Sequence, residues 1–322
     1  MQAIFQNRYG GSEVLEYGEL PAPRLRAGQL RVAMAASSIN PRDLLIRRGK
    51  YQLQLFVSGF PLVLGSDVVG TVVEVGRGVD RFRVGDVVMG MKNPLGGAGC
   101  HASEVCIDAS AVVHKPAALG IVEAGGFPLC ALTAFQALVR CGDLRLGQRV
   151  LVIGGSGGVG TFAVQVGAAL GAEVVALASP ANHELVRSLG ASAAVDYQDP
   201  SYRTSLGRFD IVFDTIGRHS RKTCTSLLAP RGVFVSTIPA VPHLLDAAIT
   251  RTVGRLGRGS RGSVVVVRPL REDLERLVSL VEEGRVKTVV DSTYPLAETA
   301  RAHDRSATRR ARGKIVIEGP GA

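Results

Sequence analysis

No two of the five cysteines stand in a C-x-x-C spacing; Cys100, Cys106, Cys130, Cys141 and Cys224 are scattered and odd in number. Such a set builds neither a disulfide framework nor a thiolate zinc cage, and it fits a reducing, cytoplasmic setting. The first ten residues carry polar side chains throughout and no apolar stretch of the kind a signal peptide requires. Tryptophan is absent and aromatic residues make up only 5% of the chain. None of them interleaves with the basic clusters at 251–268 and 301–314, so stacking platforms for nucleic-acid bases are missing. The net charge of +10 therefore reads as a solvated basic surface, and a nucleic-acid partner is not expected.

What is present is a chain of 322 residues, 46% hydrophobic and 20% charged, long enough for two globular domains. Its organising stretch runs from Arg149 to Gly160. Val150-Leu151-Val152-Ile153 reads as a buried strand, and Gly155, Gly157 and Gly160 fit G-x-G-x-x-G, with Gly158 and Val159 inside the turn. Beyond it Val159, Phe162, Ala163, Val166 and Leu170 recur at helical spacing, and Val174 to Ala178 forms a second apolar strand. Strand, glycine turn, helix and strand make the βαβ unit that presents backbone N–H groups and a helix N-terminus to a dinucleotide pyrophosphate. The window from Val150 to Ala172 carries no charge and is long enough to span a bilayer, but its seven glycines argue against a spanning helix, and no membrane partner is expected.

Short strands at 30–36, 68–75, 84–89 and 104–107, with a helix opening at Pro41, make the N-terminal third β-rich. Strands and helices then alternate. Helices are predicted over 182–189 and 220–228, and strands over 193–196, 209–214, 233–237 and 264–267. With the two strands of the glycine unit these make six, which predicts a doubly wound parallel α/β sheet over 120–268. That sheet is inserted into a discontinuous β-rich domain of 1–119 plus 269–322. The run Gly262 to Val267 is predicted as the last, uncharged edge strand, a template for pairing with a second copy in a homodimer.

Several segments together resemble the medium-chain dehydrogenase/reductase superfamily, and within it the zinc-independent quinone oxidoreductases and enoyl reductases. Asn40-Pro41-Arg42-Asp43 is similar to N-P-x-D, and Arg48-Gly49-Lys50-Tyr51 to R-x-G-x-Y. Gly65-Ser66-Asp67-Val68-Val69-Gly70 stands at G-x-D/E-x-x-G, and Phe82-Arg83-Val84-Gly85-Asp86-Val87-Val88 at F-x-x-G-D-x-V. Leu132-Thr133-Ala134-Phe135-Gln136-Ala137-Leu138 resembles L-T-A-x-x-A-L. The resemblance implies a Rossmann sheet inserted into a GroES-like domain, with reaction in the cleft between them. Two segments depart from the pattern, Cys100-His101 before Ala102 at the expected cleft mouth and Gly125-Gly126-Phe127.

Residue by residue, the resemblance implies that Asn40 and Thr133 contact the nicotinamide, and that Tyr51 faces the substrate as a hydrogen-bond donor or proton source. Lys314 matches the family's G-K-x-V cofactor contact, and Ile238 joins the cofactor residues. Blander readings stand beside these: Asn40 as a turn-former before Pro41, Thr133 as a helix cap, Tyr51 as an exposed loop residue, Lys314 as a surface lysine. His101 and His219 are weaker catalytic candidates. Ser66 stands where the zinc enzymes have the histidine of G-H-E, and the four-cysteine lobe is missing, so a metal-free enzyme is expected. The end of the second strand carries no acid for a ribose diol. Ser179, Asn182 and Tyr197 stand there to bond a 2′-phosphate, with Arg309 or Arg312 as cationic partners, so the expected cofactor is NADPH. The expected reaction is reduction of a carbonyl-conjugated C=C bond in an enone, quinone or enoyl thioester. A carrier-bound polyketide-tailoring enoyl reductase, or a weakly active NADPH-binding protein with an accessory or nucleic-acid-binding role, are the alternatives.

Overall fold

The computed structural model describes residues 1–51, 59–92, 99–255 and 259–320. In chain order the N-terminal part contains β1 (Gln2–Gln6), β2 (Glu16–Glu19), β3 (Gln29–Ile39), α1 (Pro41–Arg47) and β4 (Leu62–Val63). β5 (Asp67–Val75), β6 (Val87–Met91), β7 (Glu104–Asp108), β8 (Val112–His114), α2 (Ile121–Gly125) and α3 (Pro128–Phe135) follow, and a π-helical segment at Gln136–Cys141 extends α3. The middle of the chain is β9 (Arg149–Ile153), α4 (Gly158–Ala169), β10 (Glu173–Ala178), α5 (His183–Ser188), β11 (Ala193–Asp196), α6 (Tyr202–Ser205), β12 (Phe209–Asp214), β13 (Leu228–Ser236), α7 (Val241–Arg255) and β14 (Arg261–Val264). The chain closes with α8 (Arg271–Glu282), β15 (Val290–Pro295), α9 (Thr299–Ala307) and β16 (Lys314–Glu318). Among the described residues no helix is long and apolar enough to cross a membrane.

Two compact units result, Met1–Leu129 with Arg268–Ala322 and Cys130–Val267. The first junction therefore falls within α3, further along than the expected 119/120. In the discontinuous unit a seven-stranded sheet carries β15-β16-β3-β5-β6-β8 in order, with β7 also paired to β3, and a smaller sheet runs β2-β1-β4. Alternation drives the central strand: Leu30, Val32 and Met34 of β3 point into the core with Val68, Val72, Ile107 and Ile315, and beyond a register shift between Met34 and Ala36 it is Ile39 that rejoins them. α8 buries Leu274, Leu277, Leu280 and Val281, the i, i+3, i+6, i+7 stripe of an amphipathic helix.

The continuous unit is a six-stranded sheet of order β11-β10-β9-β12-β13-β14, every neighbouring pair parallel. Numbered from β9, this is the doubly wound order 3-2-1-4-5-6, and its switch point lies between β9 and β12. The predicted six strands and the fold class hold. Two local expectations do not, and one helix is unforeseen. Residues 222–227 form a 3-10 turn instead of an α-helix, because β13 already begins at Leu228 and pairs with Phe209. α7 was not anticipated; Pro239 and Pro242 obscure its start in the sequence. The edge strand ends at Val264, because its ladder partner β13 ends at Ser236, and Val265 N–H to Ser236 O is the last bond. Val265 to Val267 thus lie outside the strand, and the long flat edge shrinks to four residues.

Candidate active site

The glycine turn has the geometry its spacing predicts. Gly157 is the N-cap of α4 and has no side chain to bond the first-turn N–H groups. Gly158, Val159 and Gly160 open the helix, where backbone donors have no intrahelical acceptor. A Cβ on Gly160 would stand 2.0 Å from the Gly154 oxygen, and one on Gly155 would stand 2.8 Å from the Ala176 Cβ. The turn is thus closed on itself and packed against β10, with the helix N-terminus open to an anion, and the residues fit a dinucleotide pyrophosphate.

Across the switch point, β12 ends in Asp214, whose side chain is fully buried. Its Oδ1 accepts the N–H groups of Ile216 (2.9 Å) and Gly217 (3.0 Å). Oδ2 accepts the N–H of His219 (2.7 Å) and faces its ring Nδ1 at 3.3 Å. An ionised carboxylate only accepts, so that nitrogen carries the proton. Burial alone would raise the Asp214 pKa, but the His219 ring and the backbone N–H groups of His219 and Gly217 outweigh it and hold the carboxyl below its ordinary range. The turn is tied to the glycine loop by Thr215 Oγ1, which donates to Ile153 O at 2.8 Å. His219 is therefore a brace for this turn. Sequence reasoning gave Asp214 no role; an acid closing an apolar strand just before Thr-Ile-Gly was the available signal.

At the end of β10 the predicted ribose-end residues come together in part. Asn182 Nδ2 donates to Ser156 Oγ (3.1 Å) and Ser179 Oγ (3.0 Å). Each hydroxyl thereby accepts from the amide and keeps its own hydrogen for another acceptor. Tyr197, just past β11, is half exposed, and Gln198 Nε2 bonds its hydroxyl at 3.4 Å. Ile238 follows β13 with its N–H on Ser236 Oγ at 3.2 Å, and fills the space where a Cβ on Gly217 would lie. Thr133 lies buried on α3. Arg309 and Arg312 belong to the discontinuous unit, where the Arg312 N–H is bonded to Asp291 Oδ1.

In the discontinuous unit Asn40 and Lys314 are brought together. Pro41 takes the first turn of α1, and Asp43 Oδ2 accepts the Asn40 N–H at 2.8 Å, which fixes the helix start. The Asn40 side chain is buried, with Nδ2 donating to Asp67 Oδ2 at 2.9 Å and Oδ1 accepting from Lys314 Nζ at 2.6 Å. Lys314 is thus an interior cation, not a surface lysine. Tyr51 is half-buried against Ile46, Leu62 and Leu64; residues 52–58 after it lie outside the described set.

Cys100 and His101, expected at a cleft mouth, are both fully buried. Burial pushes the Cys100 thiol up to about 12, so it is not a nucleophile. His101 Nε2 faces the Ser38 carbonyl at 3.3 Å and therefore carries the proton there, while burial lowers the ring's pKa. Its ring also occupies the space beside Gly65, where a Cβ would meet it at 2.4 Å. His101 is a packing residue beneath the Gly65 turn. Alkylation of native protein at pH 8 should leave Cys100 unmodified, as peptide mapping by mass spectrometry would show.

Among the described residues no three or more His, Cys, Asp or Glu side chains are grouped to hold a metal ion. At the position of the zinc enzymes' G-H-E, Ser66 offers a hydroxyl, and both oxygens of Asp67 already accept hydrogen bonds. The donors there do not fit zinc, which takes thiolate and imidazole first.

Known proteins share this architecture. Residues 26–143 match the alcohol dehydrogenase GroES-like domain family, and residues 189–317 match the family described as zinc-binding dehydrogenase. A chloroplast envelope quinone oxidoreductase homolog of Arabidopsis thaliana is 33% identical over 99% of this chain and 98% of its own. The chloroplastic NADPH-dependent alkenal/one oxidoreductase of the same plant is 31% identical over 98% of this chain and 79% of its own. The structure of the quinone oxidoreductase from Coxiella burnetii superposes with a TM-score of 0.88 at 28% identity, covering 99% of both chains. With a doubly wound dinucleotide sheet, a GroES-like unit and these relatives along its whole length, the chain belongs to the quinone oxidoreductase branch of the medium-chain dehydrogenase/reductase superfamily.

Proposed function

We propose that this oxidoreductase uses NADPH to reduce a carbon–carbon double bond conjugated to a carbonyl, in an enone, quinone or enoyl thioester, without zinc. The observation that carries the NADPH reading is the Ser156–Asn182–Ser179 cluster at an acid-free end of β10. Because Asn182 donates to both hydroxyls, both serines are left as donors, which suits a phosphate. The name of the Arabidopsis alkenal/one oxidoreductase supports the same cofactor and substrate class. The donor chemistry of Ser66, Asp67 and Cys100 supports a metal-free site.

The glycine turn and the α4 N-terminus would hold NADPH at its pyrophosphate, and the cofactor would supply one hydride, that is two electrons carried with one proton. The chain's own work is positioning and charge. In the continuous unit the α4 N-terminus would hold the pyrophosphate and the Asp214 turn braces the loop beside it; within the discontinuous unit Asn40 and Lys314 hold a fixed polar pair. The hydride would go to the substrate's β-carbon, and Tyr51 or solvent would give a proton to the α-carbon, so that one hydride and one proton saturate the double bond. Conjugation makes the β-carbon electrophilic, and hydrogen-bond donors stabilise the enolate oxygen.

Oxidation of NADPH is to be followed against quinones, enones and enoyl thioesters, free and carrier-bound, in parallel. Turnover of at least one class is expected; tight NADPH binding with no substrate reduced would defeat the reading and favour an accessory role. Placing an acid at the end of β10 tests the cofactor. Ser179→Asp should weaken NADPH about 100-fold through like-charge contact with the 2′-phosphate, and NADH far less. Equal affinity of the unaltered protein for NADH and NADPH would overturn the assignment.

The exposed face of α7, in place of the shortened edge strand, supports a homodimer. Val241, Leu244, Leu245 and Ile249 of that helix are exposed, Val241 at 68% and Ile249 at 64%, beside the short β14 edge. A second copy would cover this face about a two-fold axis. Light scattering at micromolar concentration should give a dimer mass that Ile249→Glu reduces to a monomer's; a monomer mass for the unaltered chain would refute it. The five cysteines, none of them in a disulfide, fit a cytoplasmic placement.

A further inference from the structure

We propose that Asp67 is a positioning residue of this enzyme, whose buried carboxylate sets the orientation of the Asn40 amide and, through it, the place of the Lys314 ammonium. The inference rests on the reductase reading above, and it gives a role to a residue that stands at the acidic position of G-x-D/E-x-x-G without the motif saying what it does.

Asp67 is fully buried and its two oxygens serve separate elements. Oδ2 accepts from Ser38 Oγ at 2.5 Å, near the end of β3, and from Asn40 Nδ2 at 2.9 Å, at the start of α1. Oδ1 accepts the N–H of Leu129 at 2.6 Å, the second residue of α3, the helix that carries Thr133. Lys314, the first residue of β16, bonds Asn40 Oδ1 at 2.6 Å and the Ile39 carbonyl at 3.4 Å, and its Nζ lies 3.8 Å from Asp67 Oδ2. A second bond, from Ser37 Oγ to the Asp67 carbonyl at 2.6 Å, clamps the main chain at the same point.

The chemistry of the partners makes this arrangement single-valued. A carboxylate only accepts and an ammonium only donates, so the amide between them has one orientation, with Nδ2 toward Asp67 and Oδ1 toward Lys314. Turning it over would set NH₂ against NH₃⁺ and oxygen against oxygen. Stability alone does not account for the arrangement. Buried ion pairs are often replaced by apolar groups at no loss, because desolvation cancels their attraction. What the pair does supply is a fixed polar geometry, which a site for hydride transfer needs and a hydrophobic core does not.

Asp67→Asn removes the acceptor-only partner and lets the amide turn over. In the full-length protein, with an enone that the unaltered enzyme reduces, kcat is expected to fall about 30-fold. The NADPH Kd, read by fluorescence, should change less than about three-fold, and the isotope effect with 4-deuterated NADPH should rise as hydride transfer becomes limiting. If Asp67→Asn does not fold, the charge-balanced Asp67→Asn/Lys314→Met protein takes its place, with the same loss of kcat expected at a near-native Tm. Unchanged kcat and isotope effect in a folded variant would overturn the proposal. A loss of Tm alone, with kcat retained, would mark Asp67 as merely structural and overturn it too. Should the unaltered protein reduce nothing, the reductase reading fails, and Asp67 is tested on the Asn40 side-chain amide by NMR of ¹⁵N-asparagine-labelled protein. A shifted resonance that collapses in Asp67→Asn supports the positioning role, and one indifferent to the substitution refutes it.

Discussion

Valine in place of Gly160 is expected to abolish NADPH binding while leaving the discontinuous unit folded. The Cβ would lie 2.0 Å from the Gly154 oxygen, a backbone atom that cannot move without opening the turn. The carbonyl it strikes accepts the Gly157 N–H at 3.2 Å, so relief of the clash breaks the bond that closes the loop. Overpacking of this kind costs about 3 kcal/mol. The greater effect falls on the cofactor, because the N–H groups of Gly158, Val159 and Gly160 then no longer converge on one phosphate. Fluorescence titration should show affinity reduced at least about 100-fold, by the loss of charge-assisted bonds worth about 3 kcal/mol together. Affinity within ten-fold of the unaltered protein would mean that the pyrophosphate does not bind at this turn.

Asp214→Asn is expected to lower the stability of the continuous unit by about 3 kcal/mol at neutral pH. The amide cannot accept all four bonds that the carboxylate takes from Ile216, Gly217 and His219, and its NH₂ faces donors. The pH dependence has a defined sign. The folded-state pKa of Asp214 is lowered, so its contribution is complete above the ordinary carboxylate range and fades as pH falls through that range to the folded value. Urea denaturation of the two proteins should therefore differ most at pH 7 and converge toward acid. A gap that stays constant with pH would show that the charge of Asp214 is not what holds the turn.

The two turns differ in how far the sequence revealed them. The glycine turn is legible because each of its glycines answers a local demand. Gly160 and Gly155 permit close approach, and Gly157 leaves a helix cap bare, so spacing along the chain carries the whole signal. The Asp214 brace is only half legible. An acid at a strand end is visible, but its four partners are set by a turn of five residues whose path depends on β12 lying beside β9.

Misplaced expectations have the same origin. The apolar run after Gly262 has the composition of a strand, yet hydrogen bonding stops where β13 stops, and a ladder cannot outlast its partner. Cys100 and His101 look like cleft residues from their place in a motif. Packing beneath the Gly65 turn, a contact across 36 positions of sequence, buries both. Ser179 and Asn182 read from the sequence as separate donors, but their coupling with Ser156 needs the glycine loop and the end of β10 in one place.

By itself the sequence determined the fold class, the βαβ unit and its glycine turn, because hydrophobic period and backbone permissiveness are properties of neighbouring residues. Tertiary structure alone decided that Asp67, Asn40 and Lys314 meet. They come from β5, the cap of α1 and β16, and Lys314 lies 274 positions from Asn40. No local pattern encodes that encounter. It follows from β16 pairing antiparallel with the end of β3, Ile315 opposite Ile39, which delivers the ammonium to the carboxamide. Burial then selects the partners, because a cation shut away from water is tolerated only where an amide oxygen and a carboxylate already stand.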